Sequence, residues 1–143
     1  VLCLALLSTA GCAPPVLDEA PTIDILFPYS SQVDTFCPTM VVVVDVTGFT
    51  LAPDSIDQDE VDGEGHWHLM VDGEYIGNSG DNYFLVDDTL ALESGRSHAL
   101  SAALRTNQHN ELDPDITSGE IEIIVDDVDG CLGGVGRDAA SGG

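Results

Sequence analysis

The chain has no lysine, and its three arginines stand against 26 acidic residues, for a formal net charge of −23. Nucleic acid and anionic lipid headgroups are recognised mainly through basic side chains, so this deficit excludes both as partners. Signatures of nucleophilic catalysis and nucleotide binding are also missing. There is no GxSxG, and no GxGxxG follows a strand pattern. No segment carries the apolar spacing of a long helix. No apolar run reaches the roughly 20 residues that a membrane-spanning helix needs. With 143 residues, the chain has room for one domain and not two. An enzyme is not expected.

The N-terminus carries its own pattern. Val1 to Leu7 are all apolar, and Ser8-Thr9-Ala10-Gly11-Cys12 follow. An apolar run ending in small residues is the pattern of a cleavable export signal. It begins without Met or a basic flank, which sets the expectation of a longer precursor. Leu7-Ser8-Thr9-Ala10-Gly11-Cys12 resembles the lipobox of bacterial lipoproteins, with Thr9 where Leu is usual. The resemblance implies that Cys12 becomes the acylated N-terminus, anchoring the chain to a membrane by burying methylenes at ~0.8 kcal/mol each. Ala13 is not the Asp that often retains such proteins at an inner membrane. The implied location is therefore the cell envelope, extracytoplasmic and outer-membrane-anchored, facing the periplasm or the surface. Cysteine parity fits this layout. Cys3 leaves with the signal and Cys12 takes the lipid. Cys37 and Cys131 remain, and an oxidising compartment favours pairing them. Such a bridge closes a long loop and contributes ~4 kcal/mol by chain entropy.

Beyond the leader the chain reads as strands and turns. The expected divisions are 1–11 signal, 12–21 lipidated N-terminus and tether, 22–128 folded domain and 129–143 Gly-rich tail. Thr22 to Phe27 is a strand ended by Pro28, and Pro28 to Pro38 reads as a loop. Met40 to Val46 is a β-branched run, hence a buried strand. Phe49 to Leu51 extends it, and Ala52 to Gly65 is a long acidic loop. His66 to Val71 is the next strand, Asp72-Gly73 a two-residue hairpin turn, and Glu74 to Ile76 the return. Tyr83 to Val86, with Leu90 to Leu92, and Ser97 to Thr106 follow. Ile116 to Val125 closes the domain, with Ile121, Ile123 and Val125 on one face. Short strands at this spacing, with no helix, predict an all-β fold: an immunoglobulin-like β-sandwich of about seven strands with Trp67 in its core.

The four histidines divide into two groups. On the strand His66 to Val71, period-2 alternation puts Trp67, Leu69 and Val71 on the core face. His66, His68 and Met70 then share the outer face. A His-x-His pair on a strand can aim two imidazoles at one ion. In a sandwich of this topology, the loop between the sixth and seventh strands lies at the end where the third strand starts. His109 is in that loop. Three imidazoles, with water or a carboxylate such as Glu64 or Glu111, would make a site for a transition metal, copper or zinc above all. The competing reading is a polar surface cluster on an interaction or adhesion module that contacts a protein or a glycan. His98 shares a face with Leu100, Ala102 and Leu104, and reads as a structural histidine bonded within the fold.

The segment Gly63-Glu64-Gly65-His66-Trp67-His68-Leu69-Met70-Val71-Asp72-Gly73, then Gly95-Arg96-Ser97-His98-Ala99-Leu100 and Asn107-Gln108-His109, resembles a group of bacterial extracytoplasmic immunoglobulin-like domains. The resemblance covers about half of the chain. It implies a secreted or lipid-anchored β-sandwich and supplies no reaction. The acidic loop Asp57 to Glu64 invites a calcium reading but fails the EF-hand spacing. Counted from Asp57, Val61 falls on a ligand position and Asp62 replaces the required Gly. The remaining acid reads as a solvated surface.

Overall fold

The computed structural model describes residues 19–30, 32–34, 39–87 and 96–125. Cys12, Cys37 and Cys131, Leu90 to Leu92, and most of the expected signal, tether and tail lie outside the described residues.

Among the described residues, nine strands form two sheets. They are β1 (Thr22–Phe27), β2 (Gln32–Asp34), β3 (Thr39–Thr47), β4 (Thr50–Leu51), β5 (Glu64–Val71), β6 (Glu74–Ser79), β7 (Tyr83–Asp87), β8 (Ser97–Thr106) and β9 (Ile121–Val125). One sheet has the order β1-β3-β7. The other runs β2-β9-β8-β5-β4, with β6 also paired to β5. The first sheet takes β1, β3 and β7 and the second takes β5, β6, β8 and β9, the two-sheet division of an immunoglobulin-like sandwich, with β5 and β8 central in the second sheet.

The core forms where the inward residues of the two sheets meet. Ile23, Met40, Val42, Val44 and Val86 come from the first sheet. Trp67, Leu69, Val71, Leu100, Ala102, Leu104 and Ile123 come from the second. Each large side chain so buried contributes roughly 1.5–3 kcal/mol. Trp67 is fully buried, and its indole Nε1–H donates to the Asp81 carbonyl at 2.7 Å. The one polar end of the ring is thereby satisfied.

Besides Phe49 to Leu51, which does not extend β3 because β4 pairs in parallel with β5 in the other sheet, three expectations need correction. Pro28 to Pro38 is not all loop: β2 pairs in parallel with β9. A three-residue edge strand is too short to show alternation. Ile116 to Val125 is not one regular strand, because the β8–β9 ladder starts only at Ile121. Upstream, contact with β8 is irregular: the Leu104 amide donates to Ile116 O and the Ser118 amide to Ala102 O. The third is the return strand after the hairpin turn. It continues to Ser79 and shifts register opposite Leu69/Met70. That shift matters at the site.

Candidate metal centre

β5 carries the site because its neighbours hold it at both ends. Its antiparallel ladder with β8 runs from Gly65↔Thr106 to Val71↔Leu100. A side chain at Gly65 would strike the Arg105 carbonyl and the Phe49 ring. Glycine therefore lets β8 approach closely just before His66. At the far end, Asp72 and Gly73 both have positive φ, 51° and 81°. This is the two-residue hairpin turn that the sequence predicts.

Asp72 does more than turn the chain. Its carboxylate accepts from the Ala99 amide at 2.9 Å and from His98 Nδ1 at 2.8 Å. The amide above all, and then the imidazole, hold this carboxyl below the usual carboxylate range. His98 is buried, in the structural setting expected of it.

The other three histidines meet at the opposite end. His66 and His68 project from the same face of β5, and His109 reaches them from the β8–β9 connection. His66 Nε2 lies 3.0 Å from His68 Nε2 and 2.9 Å from His109 Nδ1, and the last two nitrogens are 3.0 Å apart. His109 gets there through a tight hairpin. Its amide donates to Thr106 O at 3.0 Å, and the Thr106 amide donates to Asn110 O at 3.0 Å. His109 has φ 64°, a position in such a hairpin that glycine usually fills. A non-glycine residue there costs on the order of 1–2 kcal/mol.

The surroundings differ from the expected open face. His66 is fully buried, not solvent-facing. The His109 ring packs against it with centroids 4.4 Å apart, and the acidic segment between β4 and β5 is bonded to the His109 hairpin rather than simply solvated. The Asp57 amide donates to Asn107 O at 2.8 Å. Asn107 Nδ2 donates to Asp59 O at 3.1 Å and to Glu64 Oε1 at 3.2 Å. Glu60 Oε1 accepts from Thr106 Oγ1 at 2.7 Å and from Asn110 Nδ2 at 2.9 Å. Asp57 Oδ1 accepts from His109 Nε2 at 3.0 Å. That last bond puts the proton of His109 on Nε2 and leaves the Nδ1 lone pair facing the other two histidines.

Three neutral imidazole nitrogens about 3 Å apart cannot all donate to one another, because each ring has only one N–H. A cation between them resolves the crowding. An ion 2.0–2.1 Å from each nitrogen would stand about 1.1 Å out of their plane, with N–metal–N angles of about 90–95°. His66 and His68 are both lowered from 6.5 to about 4. Burial is the main cause for each. The neighbouring His109 adds for His66, and His66 adds for His68. Both rings are therefore neutral, the form that binds metals, throughout ordinary pH.

The expected extra carboxylate ligand is not there. Glu64 is bonded to Asn107, and Glu111 lies 3.9 Å from Arg105. Among the described residues, the group that could hold a metal is His66, His68 and His109. Sequence reasoning missed two neighbours of that group. Asp57 orients His109. Tyr75 stands beside His68 with ring centroids 4.7 Å apart. Its hydroxyl accepts from Asn78 Nδ2 at 2.7 Å. The register shift in β6 pairs Tyr75 with Met70 and so puts it on the histidine face.

No family model and no curated protein matches the chain. Among solved structures it is similar to the fibronectin(III)-like modules of Clostridium thermocellum CbhA, with 18% identity and a TM-score of 0.48. The likeness covers 76% of this chain and 48% of that one, so this chain spans about half of that structure's length.

Proposed function

We propose that the protein is an exported, lipid-anchored β-sandwich module that binds a transition metal ion through His66, His68 and His109. The observation that carries this is the convergence of three imidazole nitrogens, each 2.9–3.0 Å from the others, from two separate segments of the chain. Neutral imidazoles without thiolate or carboxylate suit copper, zinc and their neighbours in the first transition row. The second support is His66 Nδ1, which is buried without a hydrogen-bond partner among the described residues. Leaving such a group unpaired costs about 1–3 kcal/mol. A site shaped for stability alone would replace this ring.

The anchor at Cys12 and the envelope location belong to the same proposal. Their support is the apolar run before Cys12 and the lysine-free composition. In this reading the module stores, buffers or passes on an ion outside the cytoplasm. The test is metal analysis of the chain after loading with Cu(II) or Zn(II) and desalting, beside the variant with His66, His68 and His109 all changed to Ala. One equivalent of metal in the wild type and none in the variant is expected. Equal metal in both removes the proposal.

A further inference from the structure

We infer that an ion held by this triad keeps an open coordination face, and that the face takes a small, exchangeable anionic ligand. The inference rests on the metal-binding reading above and adds to it what the ion can do.

The first observation is the spacing of the nitrogens. At 2.9–3.0 Å from one another, they would subtend N–metal–N angles of about 90–95° at an ion 2.0–2.1 Å from each, as three ligands on one face of an octahedron do. The tetrahedral value is about 109°, and even that geometry leaves one position over. The second is the supply of donors. Among the described residues no fourth His, Cys, Asp or Glu joins the group. The nearby acids are committed: Asp57 to His109, Glu64 to Asn107, and Asp115 to Arg105 at 2.7 Å. The third is access. His66 forms a buried floor, while His109 is 33% exposed and Asp57 78%. The free positions therefore lie toward water. Structural zinc sites are closed by four protein ligands, whereas three-ligand sites keep a position for water or substrate.

Charge selects the class of ligand. Three neutral imidazoles leave the ion's double positive charge uncancelled, which favours an anionic oxygen or nitrogen donor. The protein's charge of −23 opposes any anion approaching from solution. That opposition is long-range and is screened over ~10 Å at about 0.1 M salt. A compact monovalent anion meets less of it than a polyanion does. Ligand exchange conserves charge and electrons simply: the anion binds as a coordinated water leaves, and the metal keeps its oxidation state.

The test uses Co(II), whose visible bands report its coordination, in the full 143-residue chain. One equivalent of Co(II) should give bands that the His109→Ala variant lacks. His109 sits in a surface hairpin, so that variant keeps the sandwich, and unchanged far-ultraviolet circular dichroism checks this. Azide at millimolar concentration should then shift the Co(II) bands saturably, while perchlorate, which does not coordinate, should not at matched ionic strength. The apparent azide affinity should rise with background sodium perchlorate. Bands that form but ignore azide mean that the chain supplies a fourth donor, which overturns the inference and leaves metal binding intact. Failure to load any Co(II) removes the metal-binding reading, and this inference falls with it.

Discussion

At one end of β5, Asp72 takes a hydrogen bond from His98 at 2.8 Å and another from the Ala99 amide at 2.9 Å. At the other end, His66, His68 and His109 face one another at 2.9–3.0 Å with no carboxylate among the converging nitrogens. Both groups contain a buried imidazole. His98 is bonded to a carboxylate, whereas among the described residues His66 Nδ1 is buried without a hydrogen-bond partner. Burial alone therefore does not mark a functional histidine; what marks one is a buried nitrogen whose neighbours are other lone pairs. The two ends should respond oppositely to mutation, one in stability and the other in ligand binding.

The largest expected effect is at the triad. Changing His66, His68 and His109 together to Ala should abolish the rise in unfolding midpoint that metal gives the wild type. That rise corresponds to about 2.7 kcal/mol when free metal is 100 times its Kd. Thermal denaturation with and without Zn(II) measures it. If the variant is stabilised as much as the wild type, the two ends do not differ in the way claimed.

Next in size is the other end. His98→Ala removes a buried imidazole and its bond to an ionised carboxylate, and should cost about 2–3 kcal/mol in urea denaturation. Metal affinity should stay as it was, since three β5–β8 residue pairs, at Leu69, Met70 and Val71, separate His68 from Asp72. A large drop in affinity would show that the ends are coupled.

Acid should separate the ends as well. His66 and His68 are lowered to about 4 from 6.5, chiefly by burial. Between those values the unfolded chain binds protons that the folded chain does not. The stability these rings contribute is thus complete above about pH 6.5 and is lost as pH falls toward 4. A lowering from 6.5 to about 4 corresponds to roughly 3 kcal/mol for a buried ring such as His66, and to less for the partly exposed His68. Many carboxylates titrate in the same range, so the quantity to measure is the difference between the metal-free wild type and the triple-Ala variant. That difference should change with pH.

Much of this arrangement was legible in the sequence. Period-2 alternation put His66 and His68 on one face of a strand and Trp67 in the core. Sandwich topology then brought His109 to the same end. The turn at Asp72-Gly73 was equally readable, because few dipeptides accept positive φ at both positions. The rest depended on tertiary contacts. His66 is buried where the His109 ring packs against it, and residue type gives no sign of that. Tyr75 reaches the histidine face only through a one-residue register shift. Asp57 is one of several acids in the segment from Asp54 to Glu64, and spacing did not distinguish it. One weak signal existed, since Asp tolerates the left-handed conformation that Asp57 adopts at φ 65°.

Asp57 also gives the smallest expected effect and the finest test of the comparison. Carboxylates that orient a metal-binding histidine are worth about 10–100-fold in affinity. Asp57 is 78% exposed, so water screens its bond to His109. Asp57→Ala should therefore fall near the lower bound, about tenfold weaker by competition titration. Part of any loss would come from removing one negative charge near a cation. Asp62→Asn removes the same charge from the same segment without touching His109, and reports that part alone. A loss clearly greater for Asp57→Ala means that the carboxylate acts by fixing the His109 ring. Equal losses would mean that Asp57 contributes only to the general negative field, and that the triad is positioned by the backbone of its hairpin alone.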